Sequence, residues 1–78
     1  MAIRLDEVKP GTVAVVEGVR GEGAVRRRIL DMGILKGVRI QVIKVAPLGD
    51  PIEVKLRNYS LSLRKSEAEW IDVEGEVA

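Results

Sequence analysis

The sequence predicts a mainly β fold: a small, partly open antiparallel barrel of five strands, with one short helix between the first and second long strands. Three observations lead there. The apolar residues are almost all aliphatic, with no Phe, one Trp and one Tyr, so the core is built from Val, Ile and Leu, and β-branched side chains fit strands better than helices. Period-two alternation recurs in short runs separated by Gly and Pro, whereas a helical period surfaces once. At 78 residues the chain has room for a single domain over residues 1–78 and one core.

The elements follow in order. Lys9-Pro10-Gly11 is a turn signal, and Thr12 to Val19 after it is short, β-branched and bounded by glycine, as a largely buried strand is. Gly18, Gly21 and Gly23 then leave the backbone free to turn. From Ala24 to Met32 the period changes: Val25, Ile29 and Met32 fall at i, i+4 and i+7 with Leu30 beside them, one apolar helical stripe. Gly33 stands where a left-handed C-terminal cap belongs. After Lys36-Gly37, Val38, Ile40 and Val42 alternate with polar residues, and Ile43 and Val45 then take the opposite parity. A bulge near Val42-Ile43 that changes the buried face is expected.

Pro47 to Pro51 is a loop between two prolines. Ile52, Val54 and Leu56, and then Tyr59, Leu61 and Leu63, mark two half-buried strands that pair as a hairpin turning near Asn58. Ser66-Glu67-Ala68-Glu69 has the spacing of a capping box and predicts a single turn, of 3₁₀ type. Trp70 to Glu74 alternates once more and is expected to return beside the first strand, with residues 75–78 a frayed tail.

Composition excludes several function classes. There is no Cys and no His, which removes disulfides, thiolate metal sites, Cys nucleophiles and the commonest general base and nitrogen ligand. Ser60, Ser62 and Ser66 have no base to activate them, so no enzyme activity and no cofactor are expected. Ferrous iron prefers sites with imidazole or thiolate, and only oxygen ligands are available. A net charge of +1 supplies no global field for nucleic acid. The N-terminus lacks a signal-peptide pattern and no run approaches the roughly 20 apolar residues that span a bilayer. A cytoplasmic protein without membrane insertion, monomeric or weakly self-associating, is expected.

The candidate functional residues are therefore surface features. Arg26-Arg27-Arg28 points in three successive directions around the helix. It reads either as a basic patch for an acidic partner or phosphate, or as a solvated face with Asp31 pairing to Arg27 or Arg28. Leu30, Met32, Ile34 and Leu35 exceed what one narrow stripe needs. Met32 and Ile34 are expected in the core, and Leu30 as an apolar centre with a charged rim. Leu48, Gly49 and Asp50 form the loop tip, where Asp50 reads as a turn residue bonding its own backbone or as a weak cation ligand. Trp70 faces away from Ile71 and Val73, covering the open end of the barrel or anchoring a partner. Gly18, Gly21 and Gly23 lack the G-K-[ST] of a phosphate loop.

Several stretches carry a family resemblance. Leu5 through Gly11 follows L-x-x-(L/V)-x-P-G. Ala24 to Ile34 reads AVRRRILDMGI, Ala46 to Ile52 reads APLGDPI, and Leu61 to Ala68 follows L-x-L-R-x-x-E-A. Together they resemble the ferrous iron transport protein A (FeoA) family over nearly the whole chain. The resemblance implies an SH3-like barrel, working at the cytoplasmic side with the membrane GTPase transporter ferrous iron transport protein B in the import of ferrous iron. It offers no catalytic residues. On this reading Arg26, Arg27, Arg28, Leu30, Asp31, Met32, Leu48, Gly49 and Asp50 are the partner-binding candidates. The alternatives are a small nucleic-acid-binding barrel using the same arginines, or a module of the kind that ends iron-dependent transcriptional regulators. The first lacks stacking aromatics and the second lacks a helix-turn-helix or metal-sensing region ahead of it.

Overall fold

The computed structural model describes residues 2–77. One antiparallel sheet holds β1 (Ala2–Arg4), β2 (Val13–Val19), β3 (Arg39–Val45), β4 (Ile52–Leu56), β5 (Tyr59–Leu63) and β6 (Ile71–Val77), in the spatial order β1-β6-β2-β3-β4-β5. A 3₁₀ turn, Leu5–Glu7, follows β1. Helix α1 (Gly23–Asp31) joins β2 to β3, and helix α2 (Lys65–Ala68) joins β5 to β6.

Alternation explains the core. Ala14 and Val16 of β2, Ile40 and Val42 of β3, Ile52, Val54 and Leu56 of β4, Leu63 of β5, and Ile71 and Val73 of β6 are all buried on one face. Leu5, Val8, Ile29, Ile34 and Ala68 complete that cluster from the turns and helices, and Met32 packs against it. The fold is thus mainly β and antiparallel with one short helix between the first two long strands, as the alternation predicts, and β6 pairs beside β2.

The strand count needs correction from five to six. Ala2–Arg4 is exposed along its whole length, so it has no alternation to read. Backbone pairing to β6 defines it, with Ile3 opposite Val73. Pairing to β2 carries β6 to Val77 through residues expected to fray, with Val13 opposite Val77; Ala78 lies outside the described residues. In β3 the expected irregularity is present, a register shift between Val42 and Lys44. It does not bury a second face, because Ile43 and Val45 stay 37% and 36% exposed.

Local signals set the remaining boundaries. Val25 is 45% exposed, so the helical stripe reduces to Ile29 and the partly buried Met32. Gly33 at φ +91° ends α1 and donates its N–H to Leu30 O at 3.0 Å. The β4–β5 hairpin turns through Arg57-Asn58 with Leu56 opposite Tyr59, and Arg57, at φ +46°, takes the left-handed conformation. Helix α2 is a single α turn rather than 3₁₀. Its N-terminal cap comes from Glu67, whose Oε1 accepts the Arg64 N–H at 2.9 Å, and not from Ser66.

Candidate functional site

Helix α2 receives two of the candidate residues, Asp50 and Arg28. The first N–H groups of a helix have no intrahelical acceptor, and two carboxylates meet them here. Asp50, from the Pro-bounded loop, accepts the Lys65 N–H on Oδ1 at 3.0 Å. This corrects the expectation that Asp50 bonds its own turn, and it pins the loop to the helix start. Glu67, 7% exposed, accepts the Arg64 N–H on one oxygen and lies 3.2 Å from Arg28 Nε with the other. The loop and α1 are therefore fastened to the same four-residue helix. Segments separated by many residues in sequence thus meet the same short helix.

The arginine triplet is divided by these contacts. Arg28 pairs with Glu67 and not with Asp31, which corrects the expectation of an internal pair with Asp31. Arg26 donates from Nε to Val19 O at 3.3 Å, tying the helix to the end of β2. Arg27 makes no ion pair among the described residues. With Arg26, Leu30, Asp31 and the Gly21-Glu22-Gly23 turn it lines an open depression of about 470 Å³. The half-buried Leu30 sits there between two arginines and an aspartate, the apolar centre with a charged rim that the sequence suggests. Leu48, at the tip of the loop, is 95% exposed. The loop that carries it is fastened through Asp50 to the start of α2.

The helix end is shaped by a close approach. Tyr59 donates its hydroxyl to Met32 O at 2.6 Å, and a Cβ on Gly33 would stand 2.5 Å from that hydroxyl oxygen. Trp70 remains 40% exposed and lies against Gly21, where a Cβ would come within 3.2 Å of the ring. The Arg20 guanidinium stands 5.8 Å from the Trp70 ring centroid while its Nε reaches Asp72 at 3.0 Å. The Gly-rich turn is thereby strapped to β6. Trp70, Val25, Glu22 and Gly21 line a second shallow depression of about 300 Å³ beside the first.

Neither of the two ion pairs described here, Glu67 with Arg28 and Arg20 with Asp72, was read from the sequence. Glu67 had a local signal, an acidic residue three positions after Arg64. Arg20 had none, since its partner lies 52 residues away. No group of three or more acidic side chains that could hold a metal ion exists among the described residues. No helix is long and apolar enough to cross a membrane.

Comparisons with known proteins converge. The family model of the FeoA domain matches residues 3–75. A curated relative, the Fe(2+) transport protein A/Fe(2+) transporter FeoB fusion protein of Porphyromonas gingivalis, is 43% identical over 72 residues, 92% of this chain. The chain spans only 8% of that fusion protein's length. Among solved structures, a FeoA-like protein from Clostridium acetobutylicum is 52% identical, with a TM-score of 0.88 over 94% of this chain and 85% of that one. A Stenotrophomonas maltophilia FeoA complexed with zinc, described as a prokaryotic SH3 domain protein, is 32% identical, with a TM-score of 0.81 over 92% and 89% of the two chains. A manganese-dependent transcriptional repressor, at 20% identity and a TM-score of 0.84, shares the fold over 92% of this chain and 40% of its own.

Proposed function

The chain belongs to the FeoA domain family, an SH3-like family linked to ferrous iron transport, and on that premise we propose that it is a non-catalytic accessory module that binds and modulates a membrane GTPase iron transporter of the FeoB kind. The observation that carries the proposal is the relative in which a domain like this one shares a polypeptide with FeoB. Fusion keeps two domains at high effective concentration, which is of use only if they work together.

The docking surface is α1 and the 47–51 loop, with Leu30 and Leu48 as apolar anchors and Arg26, Arg27 and Asp31 as the rim. What supports it is chemistry: interfaces favour a desolvated apolar centre ringed by polar groups, with Arg enriched. The repressor likeness, below 25% identity, concerns the fold alone and supplies no second reading.

A variant test must spare the folding contacts. Arg28→Glu would place a second carboxylate against the buried Glu67, so Arg27→Glu with Leu30→Asp is the cleaner pair. In cells lacking their own accessory protein, this double variant is expected to fold and to lose support of ferrous iron uptake. Normal uptake with both changes would remove this surface from the account.

A further inference from the structure

The solvent face of β3 and β4 carries a cluster that the docking surface does not use. Arg39 and Gln41 on β3 and Lys55 on β4 alternate with the buried Ile40, Val42, Val54 and Leu56, so their side chains share the outer face. Gln41 stands opposite Lys55, and the hairpin turn places Arg57 alongside. Arg39, Gln41, Lys55, Arg57 and Val13 line one open depression of about 270 Å³.

Among the described residues none of the three cations is in an ion pair. The salt bridges among the described residues engage Arg4, Arg20, Arg28 and Lys44, and Lys44 holds the neighbouring Glu53 at 3.8 Å. Glu17 on β2, the strand beside that of Arg39, and Glu74 on β6 interact with each other. Like charges on adjacent strands oppose pairing. In a chain of net charge +1, this is a local concentration of charge that folding does not reward.

The composition of the patch selects its partner. Protein interfaces are built on aromatic or large apolar anchors and are poor in Lys, and this depression offers only Val13. Single-stranded nucleic acid needs stacking rings. Tyr59 is bonded to Met32 O and Trp70 lies under Arg20, so neither ring serves here. A flat, open, anchorless triad of cations suits a surface of phosphate-bearing headgroups. Near an anionic leaflet each Lys or Arg contributes several-fold, so three together amount to on the order of 100-fold.

We propose that Arg39, Lys55 and Arg57 form a peripheral contact for anionic phospholipid that holds the module against the bilayer. The contact takes its purpose from the transporter reading above, and its chemistry from the patch alone.

The test is sedimentation of the whole chain with vesicles and no transporter, so that a failure of docking to FeoB is read separately. The protein is expected to follow phosphatidylcholine/phosphatidylglycerol vesicles at low ionic strength and to stay in solution with phosphatidylcholine alone. Retention should fall as the Debye length shortens to about 8 Å at physiological salt. The Arg39→Glu/Lys55→Glu/Arg57→Glu variant, which removes three attractions and adds three repulsions, should lose at least on the order of 100-fold in binding. If that variant fails to fold, Arg39→Gln/Lys55→Gln, which keeps side-chain length, serves instead and should weaken binding by more than ten-fold, roughly. Arg27→Glu should leave it unchanged. Equal retention on neutral vesicles, no retention on anionic ones, or equal loss through Arg27→Glu would overturn the proposal. So would release by inorganic phosphate beyond the effect of matched ionic strength, which would mark a single-anion site.

Discussion

Gly33 shows how one position can serve fold and surface together. Its φ of +91° lets α1 end and the chain reverse, and its missing Cβ lets the Tyr59 hydroxyl reach Met32 O. Gly33→Ala therefore meets two separate penalties, about 1–2 kcal/mol for a non-Gly residue in the left-handed region and the displacement of a hydrogen bond that contributes about 1 kcal/mol. A double-mutant cycle by denaturant unfolding separates them. Tyr59→Phe is expected to relieve part of the Gly33→Ala cost, leaving about 1–2 kcal/mol of backbone strain. Strict additivity of the two changes would contradict the contact.

Glu17 and Glu74 form a second residue-scale pair, on β2 and β6. The hydrogen bond to Glu74 and the repulsion from its charge push the Glu17 carboxyl above its usual range, while accepting that bond holds Glu74 below. The stability terms have opposite signs. Glu17, raised, contributes below its unfolded pKa and loses this as pH rises through its folded value. Glu74, lowered, contributes above its unfolded pKa and loses this as pH falls through its folded value. Carboxyl carbon titration by NMR is expected to find Glu17 titrating above Glu74, with Glu17 falling back toward its ordinary value in Glu74→Gln. An unchanged Glu17 in that variant would contradict the pairing.

Among the elements, α2 has more influence than its four residues suggest. An isolated single turn is unstable in water; this one exists because Asp50 and Glu67 satisfy its first N–H groups and because Ala68 is fully buried. Asp50→Ala is expected to cost about 1 kcal/mol and to speed exchange of the Lys65 amide more than that of β6 amides. Glu67→Gln keeps the acceptor for Arg64 N–H and loses the charge facing Arg28. Because Arg28 is 66% exposed on its side chain, that loss is modest, about 1 kcal/mol. Lys65 exchange unaffected by Asp50→Ala would separate the loop from the helix.

The division between what could and could not be read in advance lies at this scale as well. Strands with alternating burial, the Gly33 cap and the Val42 irregularity all have signals within a few residues. The first strand did not, because all its residues are exposed and only the backbone of β6 defines it. At the candidate site, Leu30 within a ring of charges followed from helical spacing. The roles of Asp50 and Arg28 did not, since each is decided by a partner 15 or more residues away, Lys65 and Glu67. Short-range patterning cannot rank one distant acceptor over another.

For the molecule as a whole, the sheet acts as a scaffold with two unlike outer regions. The α1, α2 and loop side carries the half-buried Leu30, the exposed Leu48 and the arginines of α1. The β3–β4 side offers cations without an anchor. Among the described residues no group of three or more side chains is placed to hold a metal ion. In the proposed reading the barrel connects a membrane and a transporter.

The proposed docking of the transporter engages α1 and the 47–51 loop. It is tested most directly by titrating labelled protein with the purified GTPase domain of a FeoB transporter, with and without GTP and ferrous iron. Saturable binding that is lost in Arg27→Glu/Leu30→Asp and kept in Arg39→Glu/Lys55→Glu/Arg57→Glu is the expected result. Binding that survives the first variant, or that the second abolishes instead, would contradict it.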